Sequence, residues 1–157
     1  MKDVFKERLM LDSKTNKRNC FLLYLIILVV LLVFRVAAQL MQYFFNLPFL
    51  PPFQFWDSGT LPYQILVAAQ LAIIVILSKI VYKIGADNIR PNIKTGYIFI
   101  TLGAVYFTIM LFRLAAGLTL LSDVKWFSYP IPPIFHMILA SFLILFGYFH
   151  LIKSGGK

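Results

Sequence analysis

The sequence predicts an all-α integral membrane protein whose four transmembrane helices form an up-down-up-down bundle. Three observations predict it. Four apolar runs, each about 20 residues or longer, fill most of the 157-residue chain. Only 13% of residues are charged and 61% are hydrophobic, where a soluble domain carries about a quarter charged residues. The basic residues gather at the ends of the apolar runs, so the net charge of +9 reads as a topology signal and not as a nucleic-acid surface. These residues leave no room for a further soluble domain of ordinary size.

Residues 1–19 form a basic segment with six Lys/Arg against three acids. Val4, Phe5, Leu9 and Leu11 are interspersed with charge, which fits a short amphipathic surface helix or a solvated tail. The membrane domain is expected over 20–153 and a short tail over 154–157. The first span runs over about 20–46, longer than crossing requires, so it tilts or protrudes. A cleaved signal peptide ending at Val36-Ala37-Ala38 is opposed by Arg35 directly before that site and by the apolar run 40–45. Cys20 sits at the start of this span. As the single cysteine it excludes an intrachain disulfide and a two-thiol redox motif; it reads as a lipid-facing structural residue, with palmitoylation as the alternative.

Residues 47–61 carry no Lys or Arg, and three prolines prevent a regular helix. Their phenylalanines and Trp56 suit the headgroup level. Pro62 opens the second span, about 62–82, in the favoured first-turn position. The polar connection 84–95 holds Gly85, Asn88, Arg90, Pro91 and Lys94. The third span covers about 95–121 and the fourth about 132–152. Six Lys/Arg precede span one and four flank the second connection, against none and one in the two aromatic loops. The positive-inside rule then puts both termini in the cytoplasm and both Trp loops outside, on the assumption of a bacterial-type inner membrane.

One heptapeptide occurs twice. Phe34-Arg35-Val36-Ala37-Ala38-Gln39-Leu40 returns as Phe112-Arg113-Leu114-Ala115-Ala116-Gly117-Leu118. A looser echo follows, Trp56-x-Ser58-x-x-Leu61-Pro62 against Trp126-x-Ser128-x-x-Ile131-Pro132. The spans thus read as two pseudo-repeated hairpins, each with one intramembrane arginine; chance similarity among apolar stretches is the competing account. Arg35, Gln39, Gln42 and Asn46 fall at i, i+4, i+7 and i+11, one narrow stripe on a helix. Tyr106, Met110, Arg113 and Gly117 share a face of span three by the same spacing. Tyr63 and Gln70 share a face of span two, which brings Gln70 toward the interior and leaves Gln64 at the rim.

None of the six acids, Asp3, Glu7, Asp12, Asp57, Asp87 and Asp123, lies inside a span. Charge within a bilayer points to function. A guanidinium forks onto phosphate or carboxylate with two parallel hydrogen bonds. The residues therefore predict a non-catalytic protein that binds an anionic lipid or other anionic amphiphile in its outer half. Arg35 and Arg113 clamp the anion, and Gln39, Gln42, Gln70, Tyr106 and His136 supply hydrogen bonds. The competing account of the arginines is snorkelling with carbonyl contacts. A second function is an accessory subunit of a larger membrane assembly, or a homo-oligomer, in which the arginines meet a neighbour's acids. A third is a dimeric b-type haem electron carrier. His136 and His150 lie fourteen residues apart on nearly one face of span four, a spacing similar to paired haem ligands in diheme membrane cytochromes. No other span offers histidine, so a second copy, or Met110, must complete each site. No other metal set and no nucleophile–base–acid set is present; Ser58, Ser122 and Ser128 near His136 are the nearest approach to one.

Overall fold

The computed structural model describes residues 2–56, 62–121 and 124–154; the side chains of 2–17, 54, 125 and 126 are outside that description. Asp57, Ser58, Ser122 and Asp123 therefore lie outside the described residues, as do residues 155–157. The chain is all-helical: α1 Lys2–Phe45, α2 Tyr63–Gly85, α3 Ile93–Thr119, α4 Lys125–Ser128 and α5 Ile131–Ser154, with a 3-10 turn at Phe53–Phe55. Four helices are long and apolar enough to cross a membrane: Arg18–Phe45 within α1, and the whole of α2, α3 and α5. Each of the four expected spans falls on one of them.

The basic N-terminal segment does not form a separate element. No glycine or proline interrupts residues 2–45, and the helix runs unbroken for 44 residues, about 66 Å at 1.5 Å per residue. It stops at Asn46, whose left-handed φ of 46° and N–H to the Gln42 carbonyl (3.2 Å) end the helix just ahead of Pro48. The loop then folds back on itself. The Trp56 indole N–H donates to the Pro51 carbonyl at 2.9 Å, so Trp56 is turned inward and is 5% exposed instead of lying flat at the surface. Tyr43, Phe53 and Tyr63 pack face and edge at 4.3–5.5 Å between centroids and hold this loop over the ends of α1 and α2.

Helix α2 outlasts its expected end because Ile84 is fully buried. It closes with a Schellman turn. Asp87 takes the left-handed position at φ 54°, its N–H bonds to Ile84, and the Asn88 N–H bonds to Lys83. Asn92 caps α3, with its side chain accepting from Lys94 N–H at 2.9 Å. The Asn92 N–H is used as well: it donates to Nδ1 of His150 at 3.1 Å. Lys153 pairs with Asp87 and lies over the Phe149 ring. The end of α5 is thereby tied to the α2–α3 connection.

Two zones follow. Leu25, Leu32, Leu77, Ile84, Phe142, Phe146 and Phe149 form an apolar core among α1, α2 and α5. Arg35, Gln39, Gln42, Gln70 and Arg113 are the buried polar residues at the opposite end. Large side chains such as Phe34, Phe44, Ile98, Phe112 and Tyr82 cover the outside, an apolar surface far beyond that of a soluble monomer.

The closest packing is between α3 and α5, which run antiparallel, Gly96 meeting Leu151 and Gly147 while Gly103 meets Ala140 and Ile144. A Cβ on Gly147 would stand 2.7 Å from the Gly96 carbonyl oxygen and 2.8 Å from the Ile100 nitrogen. Small residues allow this backbone approach, which replaces the hydrophobic drive missing in lipid. Helix α5 also packs on α1, where Phe21 stacks on Phe149 at 5.8 Å, and α1 packs on α2. The two hairpins are unequal: α3 and α5 meet through glycine, α1 and α2 through longer side chains.

Gly147→Ala is expected to destabilise the protein by about 1–3 kcal/mol, because the obstructing atoms are backbone. Gly85→Ala, where a Cβ meets nothing within 4 Å, is expected to be neutral or slightly stabilising. Thermal melting of both variants in one detergent checks the pair.

Candidate functional site

The polar stripe on α1 is built by helical periodicity alone, and the fold buries it. Arg35 is 7% exposed, Gln39 fully buried and Gln42 4% exposed, while Asn46 at the helix end is exposed. The Gln42 Nε2 donates to Asn46 Oδ1 at 3.1 Å, so two members of the stripe bond along it. Gln70 on α2 comes across to meet it. Its Nε2 donates to Gln39 Oε1 at 3.3 Å, whereas Gln64 is exposed. The Tyr43–Tyr63 stack above and the Gln39–Gln70 pair below hold α1 and α2 side by side.

Helix α5 supplies the third wall. Pro132 and Pro133 sit in its first turn and are fully buried, which suits positions that lack a helical N–H partner. One turn on, the Phe135 ring faces the Arg35 guanidinium at 5.2 Å, within cation–π range. His136 follows, and its Nδ1 is 2.6 Å from the Tyr106 hydroxyl of α3. Both Arg35 and Arg113 act electrostatically on Tyr106 and on His136. Arg113 is 4% exposed. The fold therefore gathers Arg35, Gln39, Gln42, Gln70, Tyr106, Arg113 and His136 into one end of the molecule. His150 is apart from them, beside Asn92, Phe146 and Phe149.

Between α1, α2 and α5 lies a cavity of about 190 Å³. Arg35, Gln70 and His136 supply its polar wall; Leu32, Ile73, Ile74 and Leu139 supply its apolar wall. Ala69 on the rim is exposed, so the cavity opens on the outside of the helix bundle. Arg113 does not line it. Several buried polar atoms here make no hydrogen bond: Arg35 Nε, Gln39 Nε2, Gln42 Oε1 and Gln70 Oε1. Buried polar groups are normally satisfied, and each exception calls for a reason. Hydroxyls elsewhere show the contrast, since Thr108, Thr119 and Ser141 each donate to the carbonyl four residues back at 2.8–2.9 Å.

The cavity lies among α1, α2 and α5, because α5 packs against both α1 and α3. Phe135 was missed. The signal was its place beside His136, but an aromatic in an apolar run carries no mark of facing a cation. Among the described residues no group of three His, Cys, Asp or Glu could hold a metal ion. Comparison with known protein families, characterised proteins and solved structures found no match.

Gln39→Leu and Gln70→Leu each strand the other carboxamide. The double variant is therefore expected to lose less stability than the sum of the singles, by about 0.6 kcal/mol. Reversible unfolding in mixed micelles measures this coupling; strict additivity would mean the pair does not interact.

Proposed function

We propose that this protein is a non-catalytic, multi-pass membrane protein that binds an anionic amphiphile through its polar end. One observation carries the reading. Arg35 is buried, lines an open cavity and has a guanidinium nitrogen with no hydrogen bond. A cation held in apolar surroundings is costly unless something of opposite charge meets it. The Phe135 ring lies 5.2 Å from the Arg35 guanidinium carbon, and a guanidinium can fork onto a phosphate or carboxylate. His136, with Nδ1 taken up by Tyr106, has Nε2 left for the same ligand. Gln39 orients Gln70 in the polar wall, Gln42 extends the stripe toward Asn46, and Arg113 adds positive potential from α3. The apolar wall takes the first part of an acyl chain, and the exposed rim lets the remainder lie in the bilayer.

In this reading the four helices cross up-down-up-down as two related hairpins. Both termini are cytoplasmic, in the inner membrane of a bacterial-type cell. Arg35 lies ten residues before the end of α1 at Phe45, about 15 Å along the axis, so the anion is bound within the outer leaflet. Lys79, Lys83, Arg90, Lys94 and Lys153 mark the cytoplasmic side.

Arg35→Gln is expected to lower the anionic lipid that copurifies with the protein at least about tenfold, and Arg113→Gln to lower it less. Lipid extraction and mass spectrometry of the purified variants measure this. Unchanged lipid in Arg35→Gln would refute the reading. For topology, a reporter fused at the C-terminus is expected to be active in the cytoplasm, and one inserted after Trp56 on the far side; the reverse pattern would invert the assignment.

A further inference from the structure

The cavity is deep, narrow and open to the side. Arg35 is ten residues before the end of α1 at Phe45, Gln70 seven residues into α2 and His136 five residues into α5. At 1.5 Å per residue they lie about 15, 10 and 8 Å from those helix ends, where the hydrocarbon of one leaflet is itself about 15 Å thick. Helical side chains lean toward the N-terminus. On α1 that direction leads away from the aromatic loop, so Arg35 does not climb back to headgroup level; Leu32, one turn deeper, lines the same cavity. Helices α2 and α5 each pack on α1, but among the described residues their own backbones stay apart. Ala69 of α2 is the exposed member of the lining, so the mouth lies on the flank of the bundle. The volume of about 190 Å³ is below the roughly 300 Å³ at which small-molecule pockets begin.

Such a cavity discriminates between anionic amphiphiles. A diacyl phosphodiester stays ionised, carries two chains on a glycerol and is anchored at headgroup level. A carboxyl group carries one chain and crosses an apolar mouth as the neutral acid, which avoids the desolvation of a bare charge. We infer that the ligand is a long-chain fatty acid that enters from the bilayer between α2 and α5 and sets its carboxylate against Arg35. This rests on the anionic-amphiphile reading above and adds the ligand class. Arg35 Nε is wholly covered, so contact with the carboxylate falls to the two terminal nitrogens, whose fork matches two oxygens. Net, one proton passes from the acid to water. Leu32, Ile73, Ile74 and Leu139 cover the first methylenes, and the rest of the chain leaves past Ala69.

The test offers the full-length protein oleate and phosphatidylglycerol in equal amounts, in mixed micelles of detergent and phosphatidylcholine. Lipid that stays with the protein after desalting is measured by mass spectrometry. The wild type is expected to retain oleate about tenfold over phosphatidylglycerol. Ala69→Trp narrows the mouth from an exposed position. It is expected to lower retained oleate at least about tenfold with an unchanged melting temperature, and the wild-type ratio stands without it. Phosphatidylglycerol retained as well as oleate, or better, overturns the fatty-acid inference and leaves the anionic reading intact. Neither retained above phosphatidylcholine overturns the reading beneath it. Oleate unchanged in folded Ala69→Trp removes the entry between α2 and α5. Displacement of oleate by millimolar acetate overturns the assignment to a membrane amphiphile, and hexadecyl phosphate retained as well as oleate overturns the choice of carboxylate.

Discussion

The contact on which the molecule depends is backbone against backbone, where α3 meets α5. Gly96, Gly103 and Gly147 remove the side chains that would hold the two helices apart. In an apolar solvent there is little hydrophobic gain in bringing two apolar helices together, so close van der Waals contact must hold them. That contact fixes the height and rotation of α5. Tyr106 then reaches His136, Phe135 is presented to Arg35, and His150 reaches the cap of α3. A looser seam would leave the polar end without its third wall.

The two ends obey opposite rules. At one, Leu25, Ile84, Phe142 and their neighbours pack as an apolar core, the buried His150 beside them accepts from the Asn92 N–H, and the charged groups of Asp87 and Lys153 pair at the margin. At the other, buried amides and a guanidinium share too few partners among themselves. Helical backbone satisfies its own hydrogen bonds, so this shortage belongs entirely to side chains. Such a half-satisfied network lowers stability in the absence of something to complete it. That deficit, beside an open cavity, is why the proposal of a ligand concerns this end and not the apolar one.

The repeated heptapeptide diverges where its two copies meet different neighbours. Gln39 in the first copy corresponds to Gly117 in the second. Gln39 extends to Gln70 and bridges two helices. At Gly117 the Phe127 backbone comes so near that a Cβ would collide with its carbonyl oxygen, because α4 folds back over the last turn of α3. The arginines are buried in both copies, yet only Arg35 lines the cavity. Similar sequences thus serve unequal surroundings.

Much of the architecture was legible in the residues. Long apolar runs bounded by Lys, Pro and Asn determine four helices, since each run must satisfy its backbone internally and each boundary residue stops a helix for a known stereochemical reason. Periodicity alone put Arg35, Gln39 and Gln42 on one face, and the 63/70 spacing set Gln70 apart from Gln64. The continuity of α1 from Lys2 was also written there, in the absence of glycine and proline, but hydropathy drew attention to the apolar part only. What the sequence did not determine is which helix stands beside which. Helix α5 between α1 and α3, Phe135 over Arg35, and the cavity walled by α2 arise from packing. Every apolar face is equally compatible with lipid and with another helix, so only the three-dimensional arrangement of glycines and bulky residues decides which faces meet.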